Sequence, residues 1–194
     1  MVFSFPGGRG QAASSPRGPA ELRAYWEGLR RGGSIPCRAD LDPRGMAGVL
    51  DRVFVGERIG TGLVRLRIAG TALTDIAGLE MKGLPLSALF LPEARARLAD
   101  VLERVLALPV AADLHLEAER GIGRPALHGR LLLLPLHSNG GARDLVLGCL
   151  ATAGETGRAP RRFAITRAVE ERLGPPEPGS LRRRGHLRLV HSVD

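Results

Sequence analysis

The sequence has little of what most enzymes and metal-binding domains need. It contains two cysteines, Cys37 and Cys149, in 194 residues, and no CxxC spacing, so it predicts neither a disulfide framework nor a zinc site. Neither a GxSxG nucleophile elbow nor a GxxxxGK[ST] phosphate-binding loop is present. The five histidines are dispersed along the chain. We therefore predict no catalytic residues and no metal site, and the protein is not expected to be an enzyme.

Long apolar runs are also missing. No run approaches the roughly 20 residues that a membrane-spanning helix needs, and the start, MVFSFPGGRG, lacks the basic-then-apolar order of a secretory signal. We expect a cytoplasmic protein that does not associate with a membrane.

Lysine is almost absent, because Lys82 is the only one among 28 basic residues. The formal net charge is +8, but residues 21–152 hold 17 basic and 15 acidic side chains, so the excess lies towards the ends. A nucleic-acid-binding surface would concentrate charge on a folded face, and nucleic acid is not a predicted partner. An Arg-rich tail that contacts phosphates remains an alternative. Its residues are Arg182, Arg183, Arg184 and Arg188.

Residues 1–19 are rich in Gly, Ser and Pro, which predicts a flexible leader. An amphipathic helix over residues 21–31 follows, because apolar side chains recur at i, i+3, i+4 and i+7. This stripe consists of Leu22, Tyr25, Trp26 and Leu29. Asp42 before Pro43 favours the start of a short helix that runs to Leu50.

Period-two alternation and glycine turns predict strands at 53–59 and 63–69. Helical spacing then fills the chain to Pro109, with the longest helix starting at Pro92. Three more strands follow at 110–118, 126–136 and 144–152. The basic tail 155–194 is predicted to contain a helix over 162–173.

Two strands, then helices, then three strands is the element order of a PAS domain. The segments LRAYWEGLR, IPCRADLDP and VRLRIAGTALTDIAGLEMKGLPLSALF, with the closing LRLV more weakly, also resemble alphaproteobacterial single-domain PAS proteins of the PAS_5 family. The resemblance covers roughly residues 22–152. It implies an α+β fold over residues 20–154: a five-stranded antiparallel sheet with helices on one face, plus the N-terminal amphipathic helix. It also implies a sensory or regulatory role without an attached output domain, and no shared cofactor.

No cofactor is predicted. A light-sensing flavin domain needs a reactive cysteine in a short-helix motif, and residues 71–90 contain none. Haem needs a histidine that faces a cavity. His128, on an apolar strand, is the better candidate, but a surface position is favoured for it.

The remaining candidate site is an apolar cavity between the sheet and the helices, which could bind a small apolar ligand. The predicted lining residues are Leu66, Ile68, Leu73, Ile76, Leu86, Phe90, Leu98, Leu102, Leu114 and Leu147. A solidly packed core is the alternative.

The predicted function is regulation through small-ligand or protein binding and dimerisation. A homodimer is expected to use the stripe Leu22, Tyr25, Trp26 and Leu29, and a signalling protein is a second partner to consider. Trp26 has an alternative role, which is to pack its helix onto the body. The alternatives for the whole protein are a nucleic-acid-associated regulator that acts through the tail and a scaffold with a filled core.

Overall fold

A computed structural model of the chain describes residues 17–174. Most of the predicted leader lies outside these residues, but its last three residues belong to a helix that starts at Arg17. The four arginines of the predicted tail also lie outside the described residues.

Six strands form one antiparallel sheet in the described part of the chain. The strands are β1 Val53–Gly60, β2 Leu63–Ala69, β3 Val110–Ala118, β4 Leu127–Leu136, β5 Leu145–Gly154 and β6 Phe163–Arg172. Their order across the sheet is β2-β1-β5-β4-β3-β6. β1 pairs with β5, and β5 and β4 lie at the centre.

The sixth strand is a correction to the predicted five, and the helix predicted over 162–173 is wrong. Phe163 and Ile165 face the buried side of the sheet, and β-branched residues favour strands over helices. A bulge places Thr166 and Arg167 against the single residue His115 of β3. The domain therefore runs past residue 154, to the end of β6.

The helices follow the sequence pattern closely. They are α1 Arg17–Leu29, α2 Thr71–Ala77 and α3 Pro92–Ala107, with short 3-10 helices at Arg38–Asp40, Pro43–Arg52 and Leu86–Leu89. α2 ends at Gly78, whose φ of 71° is the left-handed conformation that glycine tolerates. The Asp42 side chain caps the 3-10 helix that follows it by accepting from the backbone N–H of Arg44 at 2.9 Å.

Both faces of the sheet are covered: the helices that follow β2 lie on one face, as predicted, and the N-terminal helix lies on the other. α2, α3 and the 3-10 helix Leu86–Leu89 pack on one face and form the helix-side core. α1 and the 3-10 helix Pro43–Arg52 pack on the opposite, outer face. The outer core consists of Leu22, Trp26, Met46, Val49, Val53, Val55, Ala111, Leu132, Leu134, Leu147, Cys149 and Leu173.

Arg161 is the one charged side chain that is fully buried within residues 17–174. Its guanidinium donates to the carbonyl oxygens of Glu119 at 3.0 Å, of Pro125 at 2.7 Å, and of Thr156. Burial lowers its pKa from the ordinary value. These bonds fasten the β3–β4 connection to the β5–β6 connection at the point where β6 begins.

We expect β6 to be required for folding. A chain that ends at residue 154 lacks both β6 and Arg161, and leaves the β3 side chains Leu114 and Leu116 at a bare sheet edge. It should show no cooperative thermal transition by circular dichroism, whereas a chain that ends at residue 174 should melt like the full-length protein. Equal cooperative melting of the two truncated chains would contradict this assignment.

Candidate functional site

Eight of the ten residues predicted to line a cavity come together in the helix-side core. They are Leu66, Leu73, Ile76, Leu86, Phe90, Leu98, Leu102 and Leu114. Each is at most 2% exposed, and none lines either of the two surface cavities described below. These side chains form one buried hydrophobic cluster.

The other two predicted lining residues lie on the outer face. A bulge leaves Arg67 without an opposite residue on β1 and pairs Ile68 with Val55. Because Val55 faces outwards, Ile68 does so too, and it is 46% exposed. Leu147 belongs to the outer core. Its neighbour Val146 is also apolar and faces the helices, so alternation alone did not identify the inward-facing residue.

The stripe predicted as a dimer interface is used within the protomer. Leu22 and Trp26 have no exposed surface, and the indole Nε1 of Trp26 donates to the carbonyl oxygen of Pro135 at 3.1 Å. Tyr25 is half-buried, and its hydroxyl bonds the backbone N–H and carbonyl of Asp42. Leu29 is also half-buried. The assignment of Leu22 and Trp26 to a partner surface is therefore corrected.

The side chains needed for a flavin adduct or for haem ligation are not in the helix-side core. Cys149 is buried on the outer face, where a Cβ added to Gly18 of α1 would lie 3.3 Å from its Sγ. Cys37 is half-buried in a connection, with its Sγ 3.4 Å from the carbonyl oxygen of Ser138. His128 is exposed on the outer face beside Glu117. The described residues therefore place no cysteine or histidine in the helix-side core, and the absence of a cofactor stays a prediction.

Within residues 17–174, no three side chains of the metal-ligating types form a cluster. No described helix has the length and hydropathy to cross a membrane.

A surface cavity of about 500 Å³ lies on the outer face, between α1 and the strands β3, β4 and β6; we call it the α1 groove. Its apolar lining comes from Pro19, Ala20, Ala24, Ala111, Ala112, Leu132 and Val169. Its polar lining comes from Arg23, Asp113, Arg130 and Glu171. The groove exists because α1 covers the central strands and leaves part of β3 and β6 open.

Two arginines converge on the α1 groove, and each is paired with a carboxylate. The Nε of Arg130 lies 2.9 Å from both carboxylate oxygens of Asp113, and this hydrogen bonding raises the pKa of Arg130. Arg23 Nη2 lies 3.1 Å from Glu171 Oε1 and 2.8 Å from Glu27 Oε1. All these side chains keep some exposure to solvent, so a bound anion could share the arginines with their carboxylates.

No local sequence pattern predicts the α1 groove. Asp113 lies on a strand predicted to be apolar on one face, and Arg130 lies on a strand predicted to be apolar on both. Neither pattern predicts that the two side chains meet. Their contact depends on the β3–β4 register, in which His115 opposes Arg130, and the loop between the strands does not fix that register by its length.

A second cavity of about 430 Å³ lies beside the end of β2. It is lined by Arg67, Ile68, Ala69, Thr71, Thr74, Glu80 and Lys82. Five of these seven residues are of polar or charged types, and none of the seven is buried.

The sequence model of the PAS_5 family, described as a PAS domain, matches residues 15–151. The chain belongs to the PAS domain family. Membership of this family indicates a sensory or regulatory module. The match ends before β6, so the sixth strand lies outside the part shared with the PAS family model.

Solved structures show more distant similarity to this PAS domain. The light-state structure of the blue-light photoreceptor Aureochrome1 LOV is 14% identical, with a TM-score of 0.42 over 58% of this chain and 88% of that one. An RNA-binding light-oxygen-voltage receptor is 15% identical, with a TM-score of 0.40 over 77% of this chain and 36% of that one. A variant of RsLOV is 18% identical, with a TM-score of 0.38 over 75% of this chain and 73% of that one. No curated protein sequence matches the chain.

Trp26→Ala is expected to destabilise the PAS domain. Removal of this fully buried indole should lower the free energy of unfolding by about 3–5 kcal/mol, measured by denaturant titration. Ile122→Ala is the control, because Ile122 is 97% exposed and its truncation should change stability by less than about 0.5 kcal/mol. Equal midpoints for the two variants would show that Trp26 does not anchor α1.

The Cys149 thiol is expected to stay unreactive in the folded protein. Burial raises its pKa from 9.0 to about 12. Because the unfolded chain releases this proton near pH 9 while the folded chain keeps it, stability should fall as pH rises between these two values. Iodoacetamide labelling at pH 8, followed by mass spectrometry, should modify Cys37 and spare Cys149 until denaturant is added. Rapid labelling of Cys149 without denaturant would contradict the burial.

Proposed function

We propose that this chain is a regulatory PAS module whose ligand site is the α1 groove, with the helix-side core acting as a packed scaffold. One observation carries the proposal. The side chains expected to line an internal pocket are buried against one another, whereas a cavity of about 500 Å³ opens beside α1 on the outer face. Pockets for small molecules typically measure about 300–1,000 Å³ and combine an apolar lining with a few convergent polar groups.

The lining indicates the class of ligand. Leu132, Val169 and the alanines of the groove offer apolar surface, and Arg23 and Arg130 offer guanidinium donors at its polar side. Arginine favours planar anionic groups such as carboxylates. A small amphipathic molecule with an apolar body and one anionic group therefore fits the groove better than the wholly apolar ligand expected from the sequence.

The groove also supplies a route to regulation, because α1 forms one of its walls. α1 is held to the sheet by Leu22 and Trp26, and a ligand that contacts α1 and the strands together would bind best when α1 is docked. Such a ligand shifts the population of docked α1 only by as much as its affinities for the two states differ. The output would be association with another protein, either a second copy or a signalling partner.

We expect a substitution that fills the groove to abolish ligand binding. Ala24 lies on α1, and Ala24→Phe should occupy the groove without disturbing the buried face of the helix. The probe is 1-anilinonaphthalene-8-sulfonate, which has an apolar body and one anionic group. Fluorescence titration should show a dissociation constant at least about tenfold higher for Ala24→Phe than for the native sequence, equivalent to about 1.4 kcal/mol.

Ala96→Phe is the matched control, because Ala96 is exposed on α3 and lies outside the groove. It should bind the probe like the native sequence. Equal probe binding by both phenylalanine variants would rule out the groove as the site. Native mass spectrometry of freshly purified protein would also show whether an amphipathic molecule copurifies.

A further inference from the structure

Within the described part of the chain, the edge of β6 is uncovered beyond its first residues. At its start, the backbone N–H of Leu91 donates to the carbonyl oxygen of Phe163 at 3.0 Å, and Arg97 Nη1 donates to that of Ile165 at 2.9 Å. No further hydrogen bond to this edge of β6 is found among residues 17–174. Uncovered edges are the places where sheets pair with another chain.

The pairing of β6 with β3 shows which backbone groups are left over. The N–H of Leu173 donates to the carbonyl oxygen of Pro109, so Leu173 points its backbone groups towards β3. Successive residues of a strand direct their N–H and C=O groups to alternate sides. Ala168, Glu170 and Arg172 therefore direct theirs to the open side.

The outer-face side chains of β6 have a charge pattern that complements itself. Arg167, Val169 and Glu171 pair with outward-facing residues of β3 and so share the outer face. Arg167 makes no ion pair with any described residue, and Glu171 remains 65% exposed although it contacts Arg23. Val169 is 42% exposed. A positive and a negative side chain thus stand at equal distances on either side of an exposed valine.

We propose that two copies of this chain pair through β6, antiparallel, with a two-fold axis at Val169. In this register Ala168 of each copy exchanges backbone hydrogen bonds with Glu170 of the other. Arg167 of each copy lies opposite Glu171 of the other, and the two Val169 side chains meet. A two-fold axis repeats every contact, so the ion pair forms twice.

Moving the axis by one residue along β6 keeps the same backbone groups facing one another, but it gives a less favourable pairing of the side chains. With the axis at Glu170, Arg167 opposes Leu173 and Glu171 opposes Val169, so neither charge meets an opposite one, and the two Glu170 side chains that face each other already bond Arg104. With the axis at Ala168, Arg167 opposes Val169 and finds no acid. The charge pattern therefore selects the axis at Val169.

This proposal deepens the proposed regulatory role by naming a surface for self-association, but it does not depend on a ligand in the α1 groove. A single pair of short strands buries less surface than the lower limit of about 1,200 Å² that is typical of stable protein complexes. The dimer should therefore be weak, and its population should rise with protein concentration.

Charge reversals on the full chain test the pairing by sedimentation equilibrium over a wide range of concentration. The native sequence should dimerise. Arg167→Glu and Glu171→Arg should each raise the dissociation constant of the dimer at least about tenfold, because each sets like charges opposite one another twice. An equimolar mixture of the two single variants should associate again, since every facing pair is then of opposite charge. The double variant, R167E with E171R, should also dimerise, because its facing side chains are again of opposite charge.

Recovery in the mixture cannot arise from misfolding of either variant. A native chain that is monomeric at all concentrations would overturn the proposal, as would equal association by all variants or a mixture that fails to recover. Binding of 1-anilinonaphthalene-8-sulfonate by Arg167→Glu tests the groove separately, because Arg167 does not line it. Loss of dimerisation with normal probe binding would therefore support the edge and leave the groove proposal standing.

Discussion

The central strands β4 and β5 are apolar on both faces, so the sheet can be stable only with cover on both sides. Leu131 and Leu133 of β4 face the helix-side core, and Leu132 and Leu134 face the outer core. Burial of each such side chain is worth about 1.5–3 kcal/mol relative to exposure. The docked α1 therefore contributes to the stability of the fold. The α1 groove follows from the same constraint, because one short helix covers the apolar centre and leaves the more polar β3 and β6 partly open.

The two edges of the sheet are protected to different degrees. At β2 the backbone of Leu66 exchanges hydrogen bonds with the segment 83–84, at 2.9 Å with the carbonyl of Leu84 and 2.7 Å with the N–H of Gly83. At β6 the corresponding cover by residues 17–174 stops after Ile165. Arg161 fixes the start of β6 by bonding three carbonyl oxygens, so this strand is held in position although it is the last in the sheet. An ordered edge that stays uncovered is better suited to pairing than a frayed one, because less conformational entropy is lost on association.

The parts of the fold that the sequence predicted are those with a long, uninterrupted period. The apolar stripe of α3, from Ala94 to Leu106, is buried as its spacing indicates, and the alternation of β3 identified its inward side. β6 was mistaken for a helix because the bulge at Thr166 interrupts its alternation. The bulge in β2 interrupts the alternation in the same way, so the alternation wrongly predicts that Ile68 faces the helices.

The candidate site was beyond sequence analysis for a different reason. The groove brings α1 against strands some 90 to 150 residues away in sequence, and no local pattern encodes that approach. The same burial of Trp26 that positions α1 also removed the dimer surface expected from its stripe. An exposed stripe and a buried one have the same spacing, so only the second apolar face of β4 and β5 could have distinguished them.

The two proposals meet at Glu171. Arg23 holds Glu171 in the isolated protomer, and in the proposed dimer Glu171 would also meet Arg167 of a second copy. An anionic ligand in the groove would compete with Glu171 for Arg23 and would leave its carboxylate free to pair across the dimer. Binding equilibria that share such a step are linked reciprocally. If both proposals hold, a ligand that promotes pairing of β6 would bind more tightly to the dimer by the same factor, although each site can be tested, and can fail, on its own.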